Sequence, residues 1–131
     1  MAVEIVHDER LVRVTFSGSI TADDLTLVIR ETIQMEANSQ SSPDRLVDFG
    51  ESTNVAVSFA NVATIATARR EIAPRNPIRT AIVVYNAAQR GYARMFQIVN
   101  DHPLVTVRIF ESREDAKGWL AGDGENPPAD A

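Results

Sequence analysis

Seven side chains have the chemistry to hold an anion or a polar ligand if the fold gathers them: Asp48, Ser52, Thr53, Ser58, Asn86, Arg90 and Ser112. A guanidinium grips phosphate or carboxylate through two hydrogen bonds. Hydroxyl and amide groups at helix N-termini add to backbone N–H donors that have no partner within the helix. Ser58, Asn86 and Ser112 each stand at the head of a helical pattern, Arg90 lies one turn into the second of these helices, and Asp48 falls near the end of a strand pattern. Such residues converge only beyond the carboxyl ends of parallel strands, which is where ligands bind in open α/β sheets. A structural account of the same residues also stands: helix caps are each worth about 1 kcal/mol, and Asp48 can satisfy loop amides.

Other chemistries find no matching pattern. Ser17-Gly18-Ser19 lacks the glycine frame of a nucleophile elbow. No glycine cluster has phosphate-loop or dinucleotide spacing. The two histidines, His7 and His102, each lack an i, i+4 partner for a metal. Asp23-Asp24 and Glu114-Asp115 fall in helix first turns, where the helix dipole accounts for acids. Phe96, Phe110 and Trp119 suit core positions better than a base-stacking platform. There is no cysteine, so disulfide, thiol and Cys-zinc chemistry are excluded. The expectation is a non-enzyme with no catalytic residues, metal or cofactor.

Charge adds one local feature. Residues 1–68 hold four Arg against ten acids, and residues 95–131 hold three basic residues against seven acids. Between them, Arg69, Arg70, Arg75, Arg79, Arg90 and Arg94 face Glu71 alone. The net charge of −5 argues against nucleic acid as a partner. The arginine block is either an anion-attracting surface or a solvated helix face. Residues 1–5 lack the basic and apolar regions of a signal peptide, and no apolar run approaches the roughly 20 residues of a transmembrane helix. The expected location is cytoplasmic.

The elements that must position these residues follow from hydrophobic period. Val3–Val6 and Leu11–Phe16 read as an antiparallel hairpin turning at Asp8-Glu9-Arg10, with Val12, Val14 and Phe16 alternating against Leu11, Arg13 and Thr15. Thr21 caps a helix carrying Leu25, Val28, Ile29 and Ile33. Arg45–Phe49 is a strand stopped by Gly50, and a helix from about Ser58 to Ile72 ends before Pro74 and Pro77. Thr80–Tyr85 is apolar on both faces, as expected of a central strand. Asn86, with Gln89 in a capping box, opens a helix whose inner stripe is Tyr92, Met95, Phe96 and Val99. Val105–Phe110 is the last strand, and Ser112 opens the last helix with Ala116, Trp119 and Leu120 inward. The fold class is α/β: a mixed, mostly parallel five-stranded sheet with an N-terminal antiparallel hairpin and about four helices. One face is heavily covered, and Arg13, Thr15, Thr106 and Arg108 point to the other. Residues 1–121 make one domain, and 122–131 a disordered tail.

Arg45-Leu46-Val47-Asp48-Phe49, Arg79-Thr80-Ala81-Ile82-Val83-Val84, Ala93-Arg94-Met95-Phe96, and Val107-Arg108-Ile109-Phe110 leading to Glu114–Leu120 together resemble the SpoIIAA-like group of the STAS superfamily, the fold of bacterial anti-sigma-factor antagonists. The likeness spans about residues 3–121. It implies a non-catalytic regulatory or protein-interaction module, with an anti-sigma-like kinase or a second copy of the chain as partner. In antagonists, a serine opening the helix after the third strand is phosphorylated, and Ser58 falls at that place. The Asp-Ser-Ser-Gly-like stretch of antagonists is replaced here by Ala56-Val57-Ser58-Phe59-Ala60. The alternative is a module binding a small anionic or lipid-like ligand. The lipid-like version requires an apolar cavity.

Overall fold

In the computed structural model, residues 3–7, 11–38, 40–50, 54–55, 58–100 and 102–122 are described. The turn at 8–10, the candidate residues Ser52 and Thr53, and the tail at 123–131 lie outside them.

Five strands form the main sheet: β1 (Val3–His7), β2 (Leu11–Phe16), β4 (Asp44–Asp48), β6 (Ile78–Val83) and β7 (Val105–Phe110). Their order in space is β1-β2-β4-β6-β7. β1 runs antiparallel to β2, with Val3 opposite Phe16, Ile5 opposite Val14 and His7 opposite Val12. All other neighbours in this sheet are parallel. Each parallel step is bridged by a helix: α1 (Ala22–Ala37), α2 (Phe59–Arg70) or α3 (Ala87–Val99). A fourth helix, α4 (Arg113–Leu120), follows β7. The expected fold class is what the chain adopts.

Three details differ from the sequence reading. A second, two-stranded parallel sheet, not expected from the sequence, pairs β3 (Ser19–Ile20) with β5 (Asn54–Val55). The middle strand is β4 rather than the Thr80–Tyr85 strand, whose observed span is Ile78–Val83. β6 is nonetheless covered on both faces, because it lies between β4 and β7 and between two helical layers. The second helix is shorter at both ends than Ser58–Ile72.

The period-2 pattern sorts the strands onto two faces. Val12, Val14, Phe16, Ile82 and Val84 join one apolar core with residues of α1 and α3. Leu46, Ala81 and Val83 join a smaller core with Ala116 and Trp119 of α4. Helices α1 to α3 therefore share one face, and α4 alone covers part of the other. By alternation Arg13, Thr15, Thr106 and Arg108 belong to the α4 side, and Arg13 and Thr106 are exposed there.

Met95, Phe96, Ile109 and Leu120 are half-buried rather than fully enclosed. For Ile109 the reason is its place on an edge strand, and for Leu120 its place at the end of a short helix. Phe96 is half-buried where it lines a cavity beneath the helices.

Candidate functional site

Of the residues singled out from the sequence, Asp48, Ser58, Asn86, Arg90 and Ser112 lie among the described residues, and each has a hydrogen-bond partner in the protein. Asp48 ends β4 and is buried at 2% exposure. Its Oδ1 accepts from Gly50 N at 3.0 Å, and its Oδ2 accepts from Arg113 Nε at 2.8 Å. Gly50 turns the chain here with φ 86°, a left-handed value that favours glycine. Burial, and then the Asp48 carboxylate, push the Tyr85 hydroxyl above its ordinary pKa. Asp48 thus belongs to a cluster with Tyr85 and Arg113. Neither partner was singled out from the sequence, because each lies far from Asp48 along the chain.

Asn86 caps α3 by accepting from Gln89 N at 2.9 Å. Gln89 does not close a capping box: its side chain is fully buried and ties two strand ends together. Nε2 donates to Gly50 O at 3.0 Å, and Oε1 accepts from Tyr85 N at 2.7 Å. Arg90 forms an exposed ion pair with Glu111 at 2.5 Å. Ser58 Oγ accepts from Asn61 N and donates to Asn61 Oδ1, each at 3.1 Å, at the exposed head of α2. Ser112 Oγ accepts from Asp115 N at the head of α4. The side-chain hydrogen bonds of Ser58, Asn86 and Arg90 go to Asn61, Gln89 and Glu111 rather than to one another.

A second arrangement lies inside the main core. Between the sheet and helices α1, α2 and α3 is a cavity of about 100 Å³, partly open to solvent. Its sheet wall is Val14 and Phe16 from β2, Val47 and Phe49 from β4 and its end, and Ile82 from β6. Leu25, Val28 and Ile29 of α1, Val62 and Ile65 of α2, and Tyr92, Ala93 and Phe96 of α3 close it from the helical side.

Four polar residues also line it: Thr32, Arg45, Thr80 and Asn100. By topology they lie at one end. Arg45 and Thr80 are register partners near the starts of β4 and β6. Thr32 stands near the end of α1, and Asn100 is the C-cap of α3. In a β-α-β unit the helix ends where the next strand begins, so all four mark the end where the parallel strands start. Arg45 pairs with Glu36 of α1, and both side chains are more than nine-tenths buried. Thr32 Oγ1 donates to Val28 O at 2.9 Å and to Ile29 O at 3.1 Å. Asn100 is 3% exposed, and its Oδ1 has no hydrogen-bond partner. The result is a pocket with apolar walls and a polar floor.

These floor residues stand inside strands or late in helices, where no capping pattern marks them in the sequence. A signal for them exists: Thr32 and Glu36 extend the Val28 stripe at i+4 and i+8, and Arg45 occupies the inward position of the Arg45-Val47-Phe49 alternation. Polar residues at core positions are the informative exceptions. Among the described residues, no group of three or more His, Asp or Glu could hold a metal ion. No described helix is long and apolar enough to cross a membrane.

The sequence matches no family model and no curated protein. Among solved structures, the chain is similar to an uncharacterised protein of the DUF3478 family, described as having a SpoIIAA-like fold, from Shewanella loihica PV-4. The TM-score is 0.60 at 17% identity, covering 91% of this chain and 92% of the other. The protein has a SpoIIAA-like fold.

Proposed function

We propose that this chain is a non-catalytic binding module whose recognition element is the cavity beneath α1 to α3, and that it takes a small lipid-like molecule. One observation carries the reading: an apolar space of about 100 Å³ lies between the sheet and three helices, with Thr32, Arg45, Thr80 and Asn100 among the residues that line it. Ligand pockets are mainly apolar with a few fixed polar groups. A site lined by aliphatic and aromatic groups at roughly 150 Å³ takes benzene. A short alkyl chain is therefore of suitable size here, with any longer remainder lying in the opening.

The anionic version of the ligand reading has less support. Arg90, the guanidinium proposed for it, is engaged by Glu111. Burial of Asp48 beside Arg113 places a carboxylate at the same edge of the sheet.

Calorimetric titration with 1-hexanol, for wild type and Ala93→Leu, tests the cavity reading. Ala93 is 1% exposed and lines the cavity, so a leucine there fills it. Saturable binding by wild type that Ala93→Leu abolishes is the expected result. Equal binding by both would place the site elsewhere.

A regulatory role through a protein partner is the second reading. Its specific support is the exposed Ser58 hydroxyl at the head of α2. A phosphate there would add charge beside a helix N-terminus, where it is favoured, and would alter the surface presented to a partner. Mass spectrometry of the protein isolated from its own host tests this, since switching requires a phosphorylated Ser58 fraction that depends on growth conditions.

A further inference from the structure

We infer that the outer edge of β1 is a docking surface for a second copy of this chain, the two β1 strands running antiparallel about a two-fold axis at Ile5. No described residue of β1 lines the cavity, so this surface is separate from the site beneath α1 to α3.

The two edges of the main sheet are unlike. β1 and β7 are its outermost strands. At β7, Gln97 of α3 donates Nε2 to Val107 O at 2.9 Å, and His102 bridges to Val105. β1 has β2 as its one neighbour among the described strands. Its five residues follow β2 in unbroken register and include neither proline nor glycine. Bulges, prolines and covering elements are the usual means of blunting an edge, and a regular open edge templates another strand.

The side chains beside this edge are exposed. By alternation Glu4 and Val6 of β1 share a face with Arg13 and Thr15 of β2, while α4 packs on β4, β6 and β7 on that side. Glu4, Val6 and Arg13 are exposed, and neither Glu4 nor Arg13 has an ion-pair partner among the described residues.

Charge and strand length select one register. A two-fold axis normal to the sheet keeps every side chain on its own face, so a β1 residue at the axis meets its own counterpart. With Glu4 at the axis, like charges stand directly opposite each other, which is destabilising. With Val6 at the axis, each Arg13 finds its row continued by the second copy's Val6 and Arg13. With Ile5 at the axis, all five residues of β1 are opposed. Each row then runs Arg13, Val6, the second copy's Glu4 and the second copy's Thr15. Arg13 and that Glu4 stand two strand spacings apart, roughly 10 Å, on one face. Their side chains meet over Val6, which the aliphatic stem of Arg13 covers. The symmetry makes this contact twice, as an isologous interface requires.

The test is sedimentation of the full-length protein from micromolar to millimolar concentration. The expected result is a reversible monomer–dimer equilibrium. Arg13→Glu and Glu4→Lys should each raise the dimer Kd at least tenfold, because each sets like charges in one row. Both changes together restore opposite charges and should return Kd to within threefold of wild type. Hydrogen exchange of the wild type at the two concentration limits needs no variant. Amides of Val3–His7 should exchange more slowly in the concentrated sample, and those of Val105–Phe110 should not change. A monomer at every concentration would overturn the inference. So would a dimer that either charge reversal leaves intact, a double variant as weak as the single ones, or protection at β7 instead of β1.

Discussion

Arg45 of β4 and Glu36 of α1 form an ion pair whose side chains are 8% and 7% exposed, joining the start of the middle strand to the end of the helix above it. Glu36 also offers its backbone carbonyl to Arg75 Nε at 3.3 Å, and Ala37 offers its own to Arg75 Nη2. The α1 C-terminus is thus held from both sides. Removing one partner of a buried pair leaves an uncompensated charge. Glu36→Ala is therefore expected to lower unfolding free energy by about 3–5 kcal/mol. Replacing both by apolar residues, Glu36→Leu with Arg45→Met, should recover most of that loss. Urea denaturation of the three variants checks this, and a double variant no better than Glu36→Ala would show that the pair acts through shape rather than charge.

Gln89 should matter more than the cap that precedes it. Its amide bonds Gly50 O and Tyr85 N from a fully buried position. Gln89→Leu leaves both backbone groups unpaired and is expected to cost roughly 2–4 kcal/mol. Asn86→Ala removes one exposed cap and should cost about 1 kcal/mol. The comparison is made by chemical denaturation, and equal losses would assign Gln89 no role beyond helix capping.

Asp44 gives a pH dependence of defined sign. Burial raises its pKa from the ordinary 3.8, and the Arg79 N–H and charge oppose the rise only in part. A carboxyl that holds its proton more tightly when folded makes the unfolded state ionise first. This contribution to stability therefore falls as pH rises through the interval above 3.8. Asp44→Asn keeps the Oδ1 that accepts from Arg79 N at 2.8 Å and has no charge to bury. The variant should be more stable than wild type at neutral pH, with the difference vanishing below pH 3.8. A difference that grows on acidification would contradict this assignment.

Arg90 should be nearly silent in stability. Its pair with Glu111 is solvent-exposed on both sides, and exposed pairs contribute about 0–1 kcal/mol. Arg90→Ala should therefore unfold within about 1 kcal/mol of wild type in urea, and a larger loss would show that its aliphatic stem supports α3.

Much of the fold was legible because it rests on local period. Val12-Val14-Phe16 alternates, and β2 is where that alternation places it. Thr21 precedes two acids, and the capping box forms with Asp24. The rest required contacts distant in sequence. Nothing local announces that Asp48 meets Arg113, or that Gln89 leaves its own helix to bond Gly50. Two-residue strands such as Ser19–Ile20 have too few residues to show a period, and they exist only because β5 lies alongside. The cavity is least legible. Its walls are ordinary core residues, and an empty volume is a property of their packing rather than their identity. Phe96 read as an enclosed core aromatic, and it is half-buried at the cavity wall.

The most direct measurement is an amide NMR titration of the wild-type protein with cyclohexane. A ligand in the cavity should shift signals on its walls, at Val62 in α2, Ile82 in β6 and Ala93 in α3, in a saturable way. The Trp119 indole, packed on the opposite face against Phe110, should stay unmoved. Shifts confined to the α4 face, or none up to the solubility limit of cyclohexane, would contradict a ligand site beneath α1 to α3.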